Sequence, residues 1–267
     1  MSIVTLTTDL GTKDYYIGAI KGSLLSLNSD LQIIDITHEI PKFDIAVTAY
    51  TLENCFTDFP KGTIHIIGVN TEFKSNSRHL VAKKDGHYFI CSDNGFFDLL
   101  FKNQLDEVFE ISLDNYNLPI KFATKEVFAN IASEIAKGIG LENFGFPAFD
   151  LKESSLFKAT NEGNTIKGMV IYIDDFGNVI TNISSKIFNQ VRNARSFEIA
   201  LRKSKYNSES LTSIEQTYSD APDGDVVAFF GHNDLLQIAI NTGAANKLLG
   251  LKLKDVIRID FNEDDLF

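Results

Sequence analysis

The chain has 267 residues, 44% of them hydrophobic and 23% charged, which is enough to bury a sizeable core as one or two domains and excludes a disordered chain. Lys and Arg number 25 against 36 Asp and Glu; the resulting net charge of −11 argues against nucleic-acid binding, which needs a basic face. No stretch reaches the roughly 20 apolar residues that span a bilayer, MSIVTLTTDLG lacks the basic region of a signal peptide, and the two cysteines, Cys55 and Cys91, are too few for a disulfide framework, so a soluble protein of a reducing cytoplasm is expected.

Strand and helix patterns alternate from the start. IVTLT (3–7) reads as a strand, YYIGAIKGSLLSLN (15–28) as a helix and LQIIDIT (31–37) as a strand. DIAVTAYTLENCF (44–56) then reads as a helix and TIHIIGV (63–69) as a strand. HLVAKK and HYFICS flank Asp85-Gly86, a short hairpin signal. NGFFDLLF, DEVFEIS and KEVFANIASEIAKG continue the alternation to about residue 139. Such alternation predicts a three-layer α/β domain with a mostly parallel sheet, over residues 1–155. The polar stretch 151–167 reads as a linker. IKGMVIYI, NVITNIS, ARSFEIALR, DVVAFFG, LLQIAI and DVIRIDF follow as short strands, with one short helix around AANKLLG and an acidic tail, NEDDLF. They predict a smaller antiparallel β-barrel domain over 166–262.

Several segments carry residues that suit a ligand, each beside a plainer reading. In TTDLGTKD (7–14), Asp9 follows a strand at the carboxyl end, where open α/β sheets place ligands, and a carboxylate there accepts from a sugar diol; Asp9 and Asp14 also read as turn and helix-cap residues. In DITHEIPKFD (35–44), Asp44 caps the following helix, His38 reads as a loop histidine, and Phe43 suits either a core or an aromatic wall. GVNTEFKSNSRH (68–79) offers Asn70, Glu72 and Arg78 at the sheet edge, or an ordinary surface loop. In SDNGFFDLL, Asp93 or Asn94 reads as an N-cap, and Gly138 and Gly140 read as helix-ending glycines, not a dinucleotide loop. DDFGNVITNIS (174–184) sets Asp174, Phe176 and Asn178 at alternating positions, so in an extended segment their side chains share a face; a hairpin with Gly177 in its turn is the alternative. Five scattered histidines and no CxxC or HExxH pattern give no expectation of a metal.

TTDLGTKD, DITHEIPKFD, SDNGFFDLL, DDFGNVITNI and LLQIAINTGAANKLLGLK, in that order from residue 3 to about 260, resemble the signature segments of the S-adenosylmethionine hydroxide adenosyltransferase family. These are adenosine-forming hydrolases related to fluorinases and chlorinases. The resemblance implies an α/β domain followed by a β-barrel, a homotrimer binding its ligand between subunits, and S-adenosylmethionine as substrate with no cofactor. It implies that Asp9 holds the ribose hydroxyls, Phe43 walls the ribose, Phe176 and Tyr218 sandwich the adenine, and Asn178 bonds its edge. Asp174 and Asp14 would receive the methionine ammonium, and the carboxylate-binding turn falls near His232 and Asn233. Two departures follow. The family's water-orienting Asp and His align with Asn70 and Ala123, and its Arg falls at Ser77, one residue before Arg78. Thr124 resembles the serine that helps hold a halide in fluorinases, and Glu72 stands near as a replacement base. The expected function is hydrolysis of S-adenosylmethionine at C5′; the rivals are a protein binding S-adenosylmethionine or adenosine without turnover and a halide-dependent adenosyltransferase.

Overall fold

A computed structural model describes residues 2–72, 77–114, 116, 119–154, 158–203 and 208–262. Residues 73–76 of the 68–79 loop, 155–157 of the linker and 263–267 of the acidic tail lie outside the described residues. The chain divides into two compact units, 1–155 and 156–267.

The first unit is a seven-stranded sheet in the order β2-β1-β3-β5-β4-β6-β7. The strands are β1 (Ile3–Thr8), β2 (Gln32–Thr37), β3 (Ile64–Gly68), β4 (His79–Lys84), β5 (His87–Ser92), β6 (Glu107–Ile111) and β7 (Gly145–Pro147). β2, β1, β3 and β5 are parallel neighbours; β4 enters antiparallel between β5 and β6, so five of the seven strands run one way. β4 and β5 form the hairpin on Asp85-Gly86. Helices cover both faces. α1 (Tyr16–Leu27) packs with α4 (Ala129–Ala136) over Val4, Leu6, Ile64 and Ile66, and α2 (Ile45–Glu53) packs with α3 (Phe96–Phe101) on the other side. β3 is buried at every residue, as a central parallel strand covered on two faces must be. Under α2 and α3 the sheet carries a stacked aromatic layer: His65 lies against Phe89, His87 and Phe56, and its Nδ1 stands 2.8 Å from Thr5 Oγ1.

The caps are where local expectation and structure part. Asp44 caps α2, accepting from Ala46 N and Val47 N. Asp14 does not cap α1: the cap position is Tyr15, without a side-chain bond, and the nearby Thr12 hydroxyl donates to Glu39. At α3 the cap position is Gly95, while Asn94 Oδ1 accepts from Phe96 N and Asp93 is taken by Arg78. Gly138 does end α4, whereas Gly140 has an ordinary negative φ and opens a short 3-10 turn.

The second unit is an eight-stranded, wholly antiparallel sheet. Its elements are β8 (Thr160–Asn161), β9 (Thr165–Ile173), β10 (Val179–Ser184), α5 (Ser185–Arg192), β11 (Phe197–Lys203), β12 (Ser208–Leu211), β13 (Val226–Phe230), β14 (Leu235–Ile240), α6 (Ala245–Leu248) and β15 (Val256–Phe261). The order β12-β11-β15-β9-β10-β14-β13 brings its two end strands back beside each other, nearly closing a barrel around Ile166, Val179, Phe188, Leu236 and Ile259. Two features depart from the sequence reading. β8 falls in the supposed linker and pairs with β9. α5 follows β10, with Ser184 Oγ accepting from Ile187 N and Phe188 and Val191 buried three residues apart.

Candidate functional site

The first unit gathers one group of the singled-out residues. β1 and β3 are neighbours whose onward connections leave toward opposite edges of the sheet, and such a switch opens a crevice at their carboxyl ends. Asp9 stands there, 6% exposed. The loops after β1 and β2 are stitched around it by Gly11 N to His38 O at 2.7 Å and by Ile40 N to Thr8 O at 3.3 Å. Lys42 donates to the Asp9 carbonyl, and the Phe43 N–H donates to Asp9 Oδ2 at 2.8 Å. That second bond holds Phe43 at φ 65°, a conformation that a bulky residue adopts only under constraint, and leaves its ring exposed. The His38 ring is buried behind this loop, its Nδ1 at 2.9 Å from Thr8 Oγ1 and its Nε2 at 3.2 Å from Asp35 Oδ1. That second contact is close enough for an ion pair but too poorly aligned for a hydrogen bond. Burial pushes the Asp35 carboxyl up, but the bond from Lys21 and the nearby His38 ring outweigh it and hold it below the usual range.

The departures lie at the end of β3. Gly68 lies close against two side chains: a Cβ there would stand 2.9 Å from Thr8 Cγ2 and 3.1 Å from Thr124 Cγ2. Thr124 is fully buried at the start of a π-helical turn, Thr124–Phe128, that leads into α4, and its hydroxyl lies 3.2 Å from that of Thr71. Ala123, one residue earlier, is buried and apolar. Asn70 is exposed at φ 51°, and Glu72 is exposed. Arg78 is occupied elsewhere: Nε bonds Asp93 Oδ2 at 2.6 Å, Nη1 bonds Asp150 Oδ1 at 3.0 Å and lies 3.5 Å from Glu110, and Nη2 bonds the Asp150 carbonyl. Burial works against that charge, but Asp93 and Asp150 more than compensate and raise its pKa. Asp14 is exposed.

The second unit gathers the other group. Asp174, Phe176, Asn178 and Tyr218 line one cleft of about 640 Å³ with Ile240, Asn241, Thr242, Gly243 and Ala244. The segment that presents them is a turn, not an extended strand: Gly177 N donates to Asp174 O and Asp174 N to Asn178 O. Gly177 sits at φ 86°, and a Cβ there would fall 2.5 Å from Asn246 Oδ1 and 2.8 Å from Ala244 Cβ. The hairpin alternative is therefore right about the backbone, and the three side chains still share one cleft. Phe176 is 80% exposed, a flat apolar face turned outward. Tyr218 opens a 3-10 turn closed by a capping box of Thr217 and Asp220, and its ring meets Phe229 edge-on at 4.4 Å. Burial, aided by Asp174, raises its pKa. A polar chain runs beneath the two rings: Asn178 N and Nδ2 donate to the two Asp174 oxygens at 2.8 Å each, Nδ2 also reaches Tyr218 OH at 3.4 Å, and Tyr218 OH donates to Gln237 Oε1 at 3.4 Å.

His232 and Asn233 lie in the β13–β14 turn and are not among the residues lining this cleft. Its remaining wall is the stretch Ile240–Ala244 after β14. No residue of that wall, nor Gln237, was given a role from the sequence, although all of them lie in the LLQIAINTGAANKLLGLK segment that helped carry the family resemblance.

A switch-point carboxylate in an α/β unit, followed by a barrel with a concave, aromatic-flanked cleft, defines a protein built for a small ligand rather than a polymer. The chain belongs to the S-adenosylmethionine hydroxide adenosyltransferase family, whose N-terminal domain matches residues 4–145 and whose C-terminal domain matches residues 168–258. A (R)-S-adenosyl-L-methionine hydrolase of Methanocaldococcus jannaschii is 35% identical over 189 residues, which span 68% of this chain and 67% of that protein. Another of the same name from Thermus thermophilus is 27% identical over 267 residues, 94% and 97% of the two chains. Fluorinases match at lower identity. Among solved structures, an uncharacterized conserved protein from Thermotoga maritima superposes with a TM-score of 0.84 at 26% identity, covering 97% of this chain and 99% of that one. No helix among the described residues is long and apolar enough to cross a membrane.

Proposed function

We propose that this chain is an S-adenosylmethionine hydrolase that releases adenosine and L-methionine by displacement at C5′. The observation that carries the reading is that both units match one enzyme family whose named relatives are hydrolases of that compound. The site chemistry supports it. A ribose diol suits the Asp9 carboxylate, and a heteroaromatic base suits Phe176, Tyr218 and the amide of Asn178. In the reaction a water oxygen bonds to C5′ as the C5′–S bond breaks; the bonding pair returns to sulfur, the sulfonium becomes neutral methionine, and the water loses one proton. The leaving group needs no acid, so the task of the protein is to orient water and accept its proton. Asn70 orients without accepting, Ala123 does neither, and the exposed carboxylate of Glu72 is the proposed acceptor. Loss of a positioned general base costs about 10²–10⁴-fold in rate, and the exposed Glu72 recovers only part of it, so turnover is expected to be slow. The ammonium of methionine is assigned to Asp174 and Asp14, its carboxylate to the turn at His232 and Asn233, and the assembly to a homotrimer in the cytoplasm.

One observation favours a second reading, binding without turnover: Arg78 is held by Asp93 and Asp150 and so is not free to orient water in this arrangement. Incubation with S-adenosylmethionine in chloride-free and chloride-containing buffer, with chromatography of the products, separates the readings. Adenosine and methionine formed in proportion to enzyme, with or without chloride, support hydrolysis. Intact substrate that raises the melting temperature supports binding alone, and a 5′-chloro nucleoside formed only with chloride supports halide transfer at Thr124. Light scattering on a sizing column tests the trimer.

A further inference from the structure

His38 is 5% exposed, and its ring closes a chain that runs from the surface to the turn carrying Asp9. The exposed Asp35 pairs with Lys21 at 2.5 Å through Oδ2, and its Oδ1 lies 3.2 Å from His38 Nε2. Of the two tautomers of the ring, the one with a bare Nε2 would turn a lone pair on that carboxylate, so the surroundings select the one protonated there. Nδ1 is then an acceptor, and the hydroxyl 2.9 Å away, Thr8 Oγ1, donates to it. With its proton directed there, Thr8 Oγ1 is left to accept from Leu10 N at 3.4 Å, across the turn in which Asp9 stands. The main chain of His38 serves the same turn, its carbonyl accepting from Gly11 N at 2.7 Å. Asp, His and a hydroxyl in that order also describe an acyl-transfer triad, but Thr8 is fully buried and its oxygen cannot meet a substrate. The chain positions; it does not attack.

We infer that His38 is a positioning residue for ribose recognition: Asp35 sets its tautomer, its ring takes the Thr8 hydroxyl proton, and the Thr8 oxygen so freed holds the turn that aims the Asp9 carboxylate. This rests on the reading that Asp9 receives the ribose hydroxyls. The ring lies buried behind the loop and acts only through Thr8. Four substitutions take the chain apart. His38→Asn sets an amide oxygen at about the place of Nδ1 and keeps an acceptor for Thr8, whereas His38→Leu fills similar space and offers none. Both leave the bond from Gly11 N to the carbonyl of residue 38 in place, so the pair isolates the side chain. Asp35→Ala keeps the ring and removes what selects its tautomer. Lys21→Ala removes only the outer cation of the chain.

The test is calorimetric titration with adenosine and with 2′,3′-dideoxyadenosine, which keeps the base and the sugar ring but lacks the two hydroxyls that Asp9 would hold. The unaltered protein should bind adenosine the more tightly. His38→Leu should weaken adenosine about fivefold, the worth of one ordinary hydrogen bond, and leave the dideoxy compound unchanged. His38→Asn should restore most of the loss. Asp35→Ala should weaken adenosine by less, again without touching the dideoxy compound, and Lys21→Ala should change neither. A merely structural role for His38 would lower both ligands together, and that result would overturn the inference. So would adenosine affinity unaltered in His38→Leu, or a His38→Asn variant no better than His38→Leu. Because Asp35 is exposed, Asp35→Ala decides the matter where His38→Leu does not fold: adenosine affinity equal to that of the parent would refute the relay. If the unaltered protein binds the two ligands equally, or binds neither, the reading of Asp9 as the ribose acceptor fails, and the inference falls with it.

Discussion

At the scale of single residues, Asp9 shows how a fold constraint and a ligand group share one carboxylate. Its Oδ2 is committed to the Phe43 N–H and holds that residue in left-handed backbone, while Oδ1 has no partner among the described residues. A ribose diol would take Oδ1. The informative substitution is thus Asp9→Asn, which retains one oxygen for Phe43 and loses the charge that strengthens a bond to a hydroxyl. A charge-assisted bond contributes about 1.5–3 kcal/mol, so adenosine affinity should fall about tenfold or more, with little change in the melting temperature of the free protein. Equal adenosine-induced stabilisation in variant and parent, by thermal melting, would remove Asp9 from the ribose. Asp9 was legible because it follows an apolar run at the sheet's carboxyl end; the bond to Phe43 was not, because it joins residues 34 apart through the meeting of two loops.

At the scale of elements, the turn after β9 carries the cleft, and Gly177 is its pivot. Its positive φ and the closeness of Ala244 and Asn246 leave no room for a side chain, and Asn246 N donates to its carbonyl, tying the turn to the start of α6. Gly177→Ala should cost about 2 kcal/mol in urea unfolding, and it should weaken adenosine binding because Phe176 and Asn178 ride on the same turn. If the variant unfolds at the same urea concentration as the parent, the turn is free to relax and the packing argument is wrong. The caps teach a related lesson. Asp44 follows the local rule, whereas Asp93 and Asp14 do not, since Asp93 is drawn to Arg78 and α1 begins without a capping side chain. α5 was missed although Ser184 and the buried pair Phe188 and Val191 are its local signature; the neighbouring strand-like runs masked an eight-residue helix.

At the scale of the whole molecule, the buried histidines set an acid limit on stability. Burial, with a smaller push from His87, lowers the His65 pKa to about 3, and burial lowers that of His87 also. A folded pKa below the unfolded value of about 6.5 means that the unfolded chain binds the extra proton between those limits. Stability therefore falls as pH drops from about 6.5 toward 3, by at most about 1.4 kcal/mol per pH unit from His65, and His87 acts in the same direction. Around the pair, Asp85 favours the charged form of His87 and Lys61 opposes it, while Phe56, Phe59 and Phe89 surround His65 with apolar rings. Urea unfolding between pH 7 and 4 should show this slope, and His65→Gln should flatten it; an identical slope in the variant would assign the loss to other groups.

The sequence by itself determined the strand–helix alternation and parallel core of the first unit, the Asp85-Gly86 hairpin and the antiparallel second unit, because hydrophobic period and turn chemistry are local properties of the chain. Its motif order also carried the family. Tertiary structure alone decided what the site residues can do. Asp174, Phe176 and Asn178 face one cleft through a turn rather than an extended run, Arg78 is spent on Asp93 and Asp150, and the Asn178 amide bonds the Asp174 carboxylate. Each of these depends on partners brought together by the fold, and the direction of a hydrogen bond is settled by which atoms meet, not by which residues are near in sequence.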